Sequence, residues 1–355
     1  MDPRYSKLAK ILTTYSVKVK PHTNVWIRCL GLPALPLARE VMARVLQAGA
    51  HSYLDITDET SGPAFYTHAQ EHQLKEAPHI EKFIANWATS IITIVGEENS
   101  RTLADCDPHK LLMRQVSKKE IRAITMSKPW VLTYVPTHSL AQDAGMSLEK
   151  FTEFYFDATL RNWKNEGKEF TRLAKIFNRF KEIQVIGEDT DLHVKVEGRK
   201  FVPDNGECNM PGGEIFTAPL DDGVDGHVYF NYPLLRTGKF IRDIRLTFKQ
   251  GKVVKASASE NENFLHKILD TDLGARTLGE FAIGLNTGVP VYMNSVLFDE
   301  KIAGTIHMAL GEAYKECGGT NKSTIHMDIV KDMRVPGSKL IADGKVVMQD
   351  GRLLL

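Results

Sequence analysis

The 355-residue chain predicts an α/β N-terminal domain with a small, mostly parallel sheet, followed by an α+β C-terminal domain rich in antiparallel strands. Three observations carry this. The first half alternates strand-like and helix-like patterns. From about Lys181 the texture changes to short strands joined by Gly-containing turns. The final stretch, "KLIADGKVVMQDGRLLL", holds two Asp-Gly pairs, the strongest short-range hairpin cue. The boundary is placed near the end of a long helical stretch, giving domains 1–180 and 181–355.

Taken in order, "NVWIRCLG" reads as a buried strand, and "PALPLAREVMARVLQAGA" follows with helical apolar spacing and a Gly stop. "HSYLDIT" reads as a strand, "APHIEKFIANWATS" as a helix and "IITIVG" as a strand. "DPHKLLMRQVSKKEIRAITMSK" is helical and "WVLTYVP" is again a strand. This β-α-β-α-β order is what a parallel sheet with helices on its faces requires. "SLEKFTEFYFDATL" opens on Ser147, but Glu149 stands one position early for a full capping box. In the second half "EIQVIG", "DLHVKVEG", "GHVYFNYPL" and "IRDIRLTFKQGKVVKASAS" read as antiparallel ribbons. "GTIHMALGEAY" reads as a short helix with His307, Gly311 and Tyr314 on one face.

Composition excludes several classes of function. Hydrophobic residues make up 43%, charged residues 25%, and the net charge is +1, so neither a nucleic-acid nor a membrane partner is expected. The N-terminus is charged throughout, without a signal-peptide apolar core, and no apolar run approaches the roughly 20 residues that span a bilayer. The four cysteines are widely separated and read as reduced, mostly buried thiols, so a cytoplasmic location is expected. GxGxxG is absent after any strand of the first half, and GxxxxGK[ST] and GxSxG are absent throughout. Nucleotide binding and a serine-hydrolase elbow therefore lack support.

What remains is a set of acids and imidazoles in apolar settings. In "STIHMDIV", His326 and Asp328 share one face of a strand whose other face is Ile325, Met327 and Ile329. "NMPGGEIFTAP" presents Glu214 after a Pro-Gly-Gly turn, "LGARTLGEFAIG" sets Glu280 between Gly279 and Phe281, and His307 and Tyr314 lie in "GTIHMALGEAY". Singly, each is explained as a buried salt-bridge partner or a packed ring. Together, three buried carboxylates would repel unless protonated or neutralised by cations, and a pair of divalent ions is the natural neutraliser.

Along nearly its whole length the chain resembles the M29 metallopeptidases, the aminopeptidase T and aminopeptidase S family. The resemblance is strongest in "NMPGGEIFTAP", "LGARTLGEFAIG", "LFDEKIAGTIHMALGEAY" and "STIHMDIV", with an echo in "YVPTHSLAQDAGMSLEKF" and in Thr190-Asp191-Leu192. It implies metal ligands at Glu214, Glu280, His307, Tyr314, His326 and Asp328. Met327 stands where many relatives carry a bulky aromatic, on the opposite strand face. The resemblance also implies two divalent ions per chain, and imidazole with carboxylate donors fits zinc, cobalt or manganese better than calcium or magnesium. It implies an aminopeptidase acting on peptides with a free N-terminus, and a homodimer whose N-terminal domain shapes the entrance. Glu214 and Glu280 are the candidates for a bridging ligand and proton relay, and Tyr314 for a ligand or a donor to the tetrahedral intermediate. The alternative is a metal-dependent hydrolase of another amide or ester on the same fold.

Overall fold

A computed structural model describes residues 2–236 and 238–355, and the chain divides into two compact units. One runs to Trp163 and takes in Gly206–Pro211; the other comprises Lys164–Asn205 and Gly212–Leu355. The long helix Trp163–Phe177 thus falls almost wholly in the second unit.

The first unit is built on a five-stranded sheet in the order His51–Thr57, Asn24–Leu30, Ser90–Val95, Trp130–Tyr134, Asn209–Met210, with every neighbouring pair parallel. Both faces of a central parallel strand are covered, so its sequence loses the polar alternation. Val25, Trp26, Ile27 and Cys29 accordingly all lie fully buried, although successive side chains point opposite ways. The helix Leu35–Gln47 buries Leu37, Ala38, Val41 and Val45, one stripe of a 3.6-residue repeat, and the chain turns after it at Gly49 with φ +74°. The helix Pro108–Ser117 starts on Asp107, whose carboxylate accepts from the His109 N–H. Ser147 caps the helix Leu148–Thr159 through Lys150 N.

The second unit contains an eight-stranded antiparallel sheet that ends in the ribbon Lys339–Ala342, Lys345–Gln349 and Arg352–Leu353. Each hairpin there turns on an Asp-Gly pair with both residues at positive φ (Asp343 +46°, Gly344 +80°; Asp350 +47°, Gly351 +76°), as a type I′ turn demands. A five-stranded antiparallel sheet carries His326–Asp332, Thr305–Gly311, Leu278–Gly284, Glu214–Thr217 and Val202–Asp204 in that order. A separate hairpin pairs Leu234–Arg236 with Lys239–Ile241.

The helix expected in "GTIHMALGEAY" is not formed. The segment contains the strand Thr305–Gly311 instead, and every residue of that strand is buried. It pairs with strands on both edges and is buried on both faces, so a buried strand and a buried helix cannot be separated by periodicity. Of the cysteines, Cys29 and Cys317 are buried, Cys106 is half-buried and Cys208 exposed, and none forms a disulfide among the described residues. Among the described residues no helix is long and apolar enough to cross a membrane.

Candidate metal centre

Cross-strand register brings the acids and imidazoles onto one face. In an antiparallel sheet, residues directly opposite one another point the same way. Glu280 pairs with Ala309, which pairs on its other side with Asp328. Two residues along, Ala282 pairs with His307 and His307 with Val330; Gly311 pairs with His326, and Gly284 with Glu214. Asp204 pairs with Glu214 from the far strand. Each polar side chain thus has Ala, Gly or Val beside it, and the small neighbours leave room for the carboxylates and rings to lean together.

They do lean together. His326 Nε2 lies 2.9 Å from Glu280 Oε2 and 3.3 Å from Asp328 Oδ1. His307 Nε2 lies 3.2 Å from Glu214 Oε2 and 3.7 Å from Glu280 Oε1. Glu280, His307 and Asp328 each bring a donor atom within 4.8 Å of the others, as do Glu214, Glu300 and His307. Tyr314 lies beyond the strand end, its ring 5.1 Å from that of His326 and 5.4 Å from that of Phe216. Five of the six side chains singled out from sequence therefore meet, with Tyr314 against His326.

Two glycines permit this approach. Gly311 has φ +108°, and a Cβ there would stand 2.2 Å from the Ile325 carbonyl oxygen. Gly213, at φ +124°, leads directly into Glu214, and a Cβ would stand 2.5 Å from that of Asn286.

Three residues not singled out from sequence, Asp204, Glu300 and Lys301, complete the cluster. Lys301, wholly buried, puts its Nζ 2.5 Å from Glu214 Oε1, 3.1 Å from Asp204 Oδ2 and 3.3 Å from Glu300 Oε2. The signal was present in "LFDEKIAG", where three consecutive charges interrupt an apolar run. Charges adjacent in sequence and flanking a short helix ordinarily read as a solvated surface.

The electrostatics follow from burial and from these partners. Burial raises the Glu214 carboxyl, with Lys301 and His307 opposing. Burial would also raise Glu280, but its contacts with His307 and His326 bring it below the usual value. Burial likewise opposes ionisation of Asp328, yet His326 outweighs it and holds Asp328 at about 2. For the imidazoles burial works against charge, but Glu214, Glu280 and Glu300 raise His307 to about 9, and Asp328 and Glu280 raise His326 to about 12. Burial, then the Glu280 and Asp328 charges, push the Tyr314 phenol up.

These residues fit divalent ions. Glu214 Oε2, His307 Nδ1 and Asp328 Oδ1 are buried with no hydrogen-bond partner, an arrangement that is costly unless something else satisfies them. His326 Nδ1–H donates to the Glu312 carbonyl at 2.9 Å, which fixes the ring and aims Nε2 at the acids. Carboxylate and imidazole donors without thiolates suit borderline first-row metals.

The sequence pattern of the thermophilic metalloproteases designated M29 matches residues 1–353. The chain is 28% identical to Aminopeptidase 2 of Geobacillus stearothermophilus, over 97% of its own length and 95% of that protein's. It is 31% identical to Aminopeptidase AmpS of Bacillus subtilis over 55% of each chain, and 34% identical to Aminopeptidase T of Thermus aquaticus over 41% of this chain and 40% of that one. Its fold is that of wild-type AmpT from Thermus thermophilus, with a TM-score of 0.87 at 23% identity over 99% of both chains.

Proposed function

The chain belongs to the M29 family of metalloproteases, and from that premise we propose that it is an aminopeptidase removing N-terminal residues from peptides with two divalent ions. The observation that carries this reading is the convergence of Glu214, Glu280, His307, His326 and Asp328 on one sheet face, with Glu214 Oε2, His307 Nδ1 and Asp328 Oδ1 buried and making no hydrogen bond. Those five and Tyr314 would hold the ions, which are zinc, cobalt or manganese. When bound, such ions supply an acidified water and an electrophile for the scissile carbonyl.

The protein's own groups do the rest. Glu312 O holds the His326 tautomer through Nδ1. Lys301 occupies Glu214 Oε1 and leaves Oε2 facing His307. Glu280, in contact with both imidazoles, would help hold the ions and would pass a proton from the attacking water to the departing amine. Tyr314, more exposed than the other five, would donate from its phenol to the tetrahedral intermediate or act as a ligand. We assign this chemistry to the second unit and homodimer formation to the first, in a cytoplasmic protein whose partners are peptides.

The test is hydrolysis of leucyl-chromogenic amides. They should be cleaved, N-acetylated versions spared, activity abolished by chelation and restored by cobalt, zinc or manganese. Glu280→Gln should cut the rate with the fold intact. Equal cleavage of blocked and free substrates would favour a metal-dependent hydrolase of another amide or ester. Inactivity of the fully metallated protein on a broad aminoacyl panel would overturn the peptidase reading.

A further inference from the structure

Glu300 stands among the acids of the centre yet outside the six residues assigned as ligands. Its side chain is 15% exposed, against 6% for Glu214 and 4% for Glu280. It borders a cavity of about 20 Å³ shared with Asp328 and walled by Leu235, Tyr292, Val296 and Val330. That volume admits one group the size of a water molecule. Asp299 also reaches this cavity, but its two oxygens are taken by the N–H groups of Met293 (2.6 Å) and Ser295 (2.7 Å). Asp328, whose Oδ1 is turned towards His326 Nε2 at 3.3 Å, is a second acid lining the same cavity. Val296 is 49% exposed and marks the side open to solvent.

From this geometry we infer that Glu300 receives the α-ammonium group of the substrate, with Tyr292 and Val296 flanking the first side chain. The inference rests on the aminopeptidase reading and supplies what that reading needs, a feature that distinguishes a chain terminus from an internal residue. A primary ammonium has the size of the cavity, and its charge suits a carboxyl that burial otherwise holds well above its usual range, whereas an acetylated amine is larger and neutral. Lys301, 3.3 Å from Glu300 Oε2, holds the carboxylate in place from behind. The apolar side chains in the wall lower the local dielectric, which strengthens a charge-assisted hydrogen bond.

The experiment compares wild type with Glu300→Gln, isosteric but uncharged, in the fully metallated protein. Metal content is measured by elemental analysis, and binding of leucinamide and of its desamino analogue 4-methylpentanamide by calorimetry. Wild type should prefer leucinamide, and Glu300→Gln should lose that preference by about ten- to a hundredfold, the range for a hydrogen bond to a charged group. KM for leucyl amides should rise by a similar factor while metal content and kcat change little. Should Glu300→Gln fail to fold, Glu300→Asp keeps the charge but withdraws it, and should weaken leucinamide selectively without loss of metal. Loss of an ion in either variant would make Glu300 a ligand and overturn the inference. A fall in kcat at constant KM would overturn it too, by making Glu300 a proton-transfer group. If wild type cleaves free N-termini and Glu300→Gln keeps its amine preference, the inference alone fails. If wild type cleaves nothing and binds neither amide, the peptidase reading fails and takes the inference with it.

Discussion

Gly311→Ala probes how the sheet delivers His326 to the centre. Gly311 has φ +108°, a conformation that L side chains rarely adopt, and its Cβ would stand 2.2 Å from the Ile325 carbonyl oxygen. Real Cβ contacts essentially never fall under 3.0 Å, so that carbonyl must retreat by close to an ångström. It cannot do so freely, because it accepts the Glu312 N–H and is joined to His326, the register partner of Gly311. The backbone conformation costs about 1–3 kcal/mol and the overpacking about another 1–3 kcal/mol. Gly344→Ala is the control. Its φ is +80°, but nothing lies within 4 Å of the added carbon, so only a left-handed penalty of about 1–2 kcal/mol applies. Urea unfolding should show Gly311→Ala losing more stability than Gly344→Ala by about 1–3 kcal/mol. A calorimetric zinc titration should show weaker binding for Gly311→Ala alone. Equal losses of stability in the two variants, with unchanged zinc affinity, would refute the argument that this close approach sets the position of His326.

Lys301→Met leaves Asp204, Glu214 and Glu300 without their shared cation and should destabilise the ion-free protein by about 3–5 kcal/mol; thermal melts should show part of this regained with zinc. Metal uptake should be proton-linked. His307, raised to about 9, and His326, raised to about 12, hold protons at neutral pH in the ion-free protein, while a ligating imidazole must be neutral. Zinc affinity should therefore tighten as pH rises from about 6 to 8, and calorimetry in buffers of different ionisation enthalpy should show proton release. Asp272 accepts from Thr324 N and Oγ1 and from Ser323 Oγ, just ahead of the His326 strand. The Thr324 backbone N–H, the largest influence, lowers it from 3.8 to about 2. A depressed folded value means stability that is present above 3.8 and lost as pH falls towards 2. Asp272→Asn should remove that acid limb in urea unfolding, with a loss of about 1–2 kcal/mol at pH 7.

The sequence by itself determined the elements whose patterns are local. The strand–helix alternation of the first half is legible because a parallel strand covered on both faces reads as an apolar run, as Val25 to Ile27 do. The Asp343-Gly344 and Asp350-Gly351 turns are legible because few residues tolerate a positive φ at both turn positions. The alternation that sets His326 and Asp328 on one face is legible for the same local reason. Tertiary structure decided what depends on partners. The segment from Thr305 to Gly311 is a strand only because neighbours pair with it on both sides, and its composition suits a buried helix equally well. Glu300 and Lys301 join the centre although they look like surface charges, since a residue's depth is set by what packs over it. Register, which no single segment encodes, sets Ala309 between Glu280 and Asp328 and brings carboxylates from distant strands within reach of two imidazoles.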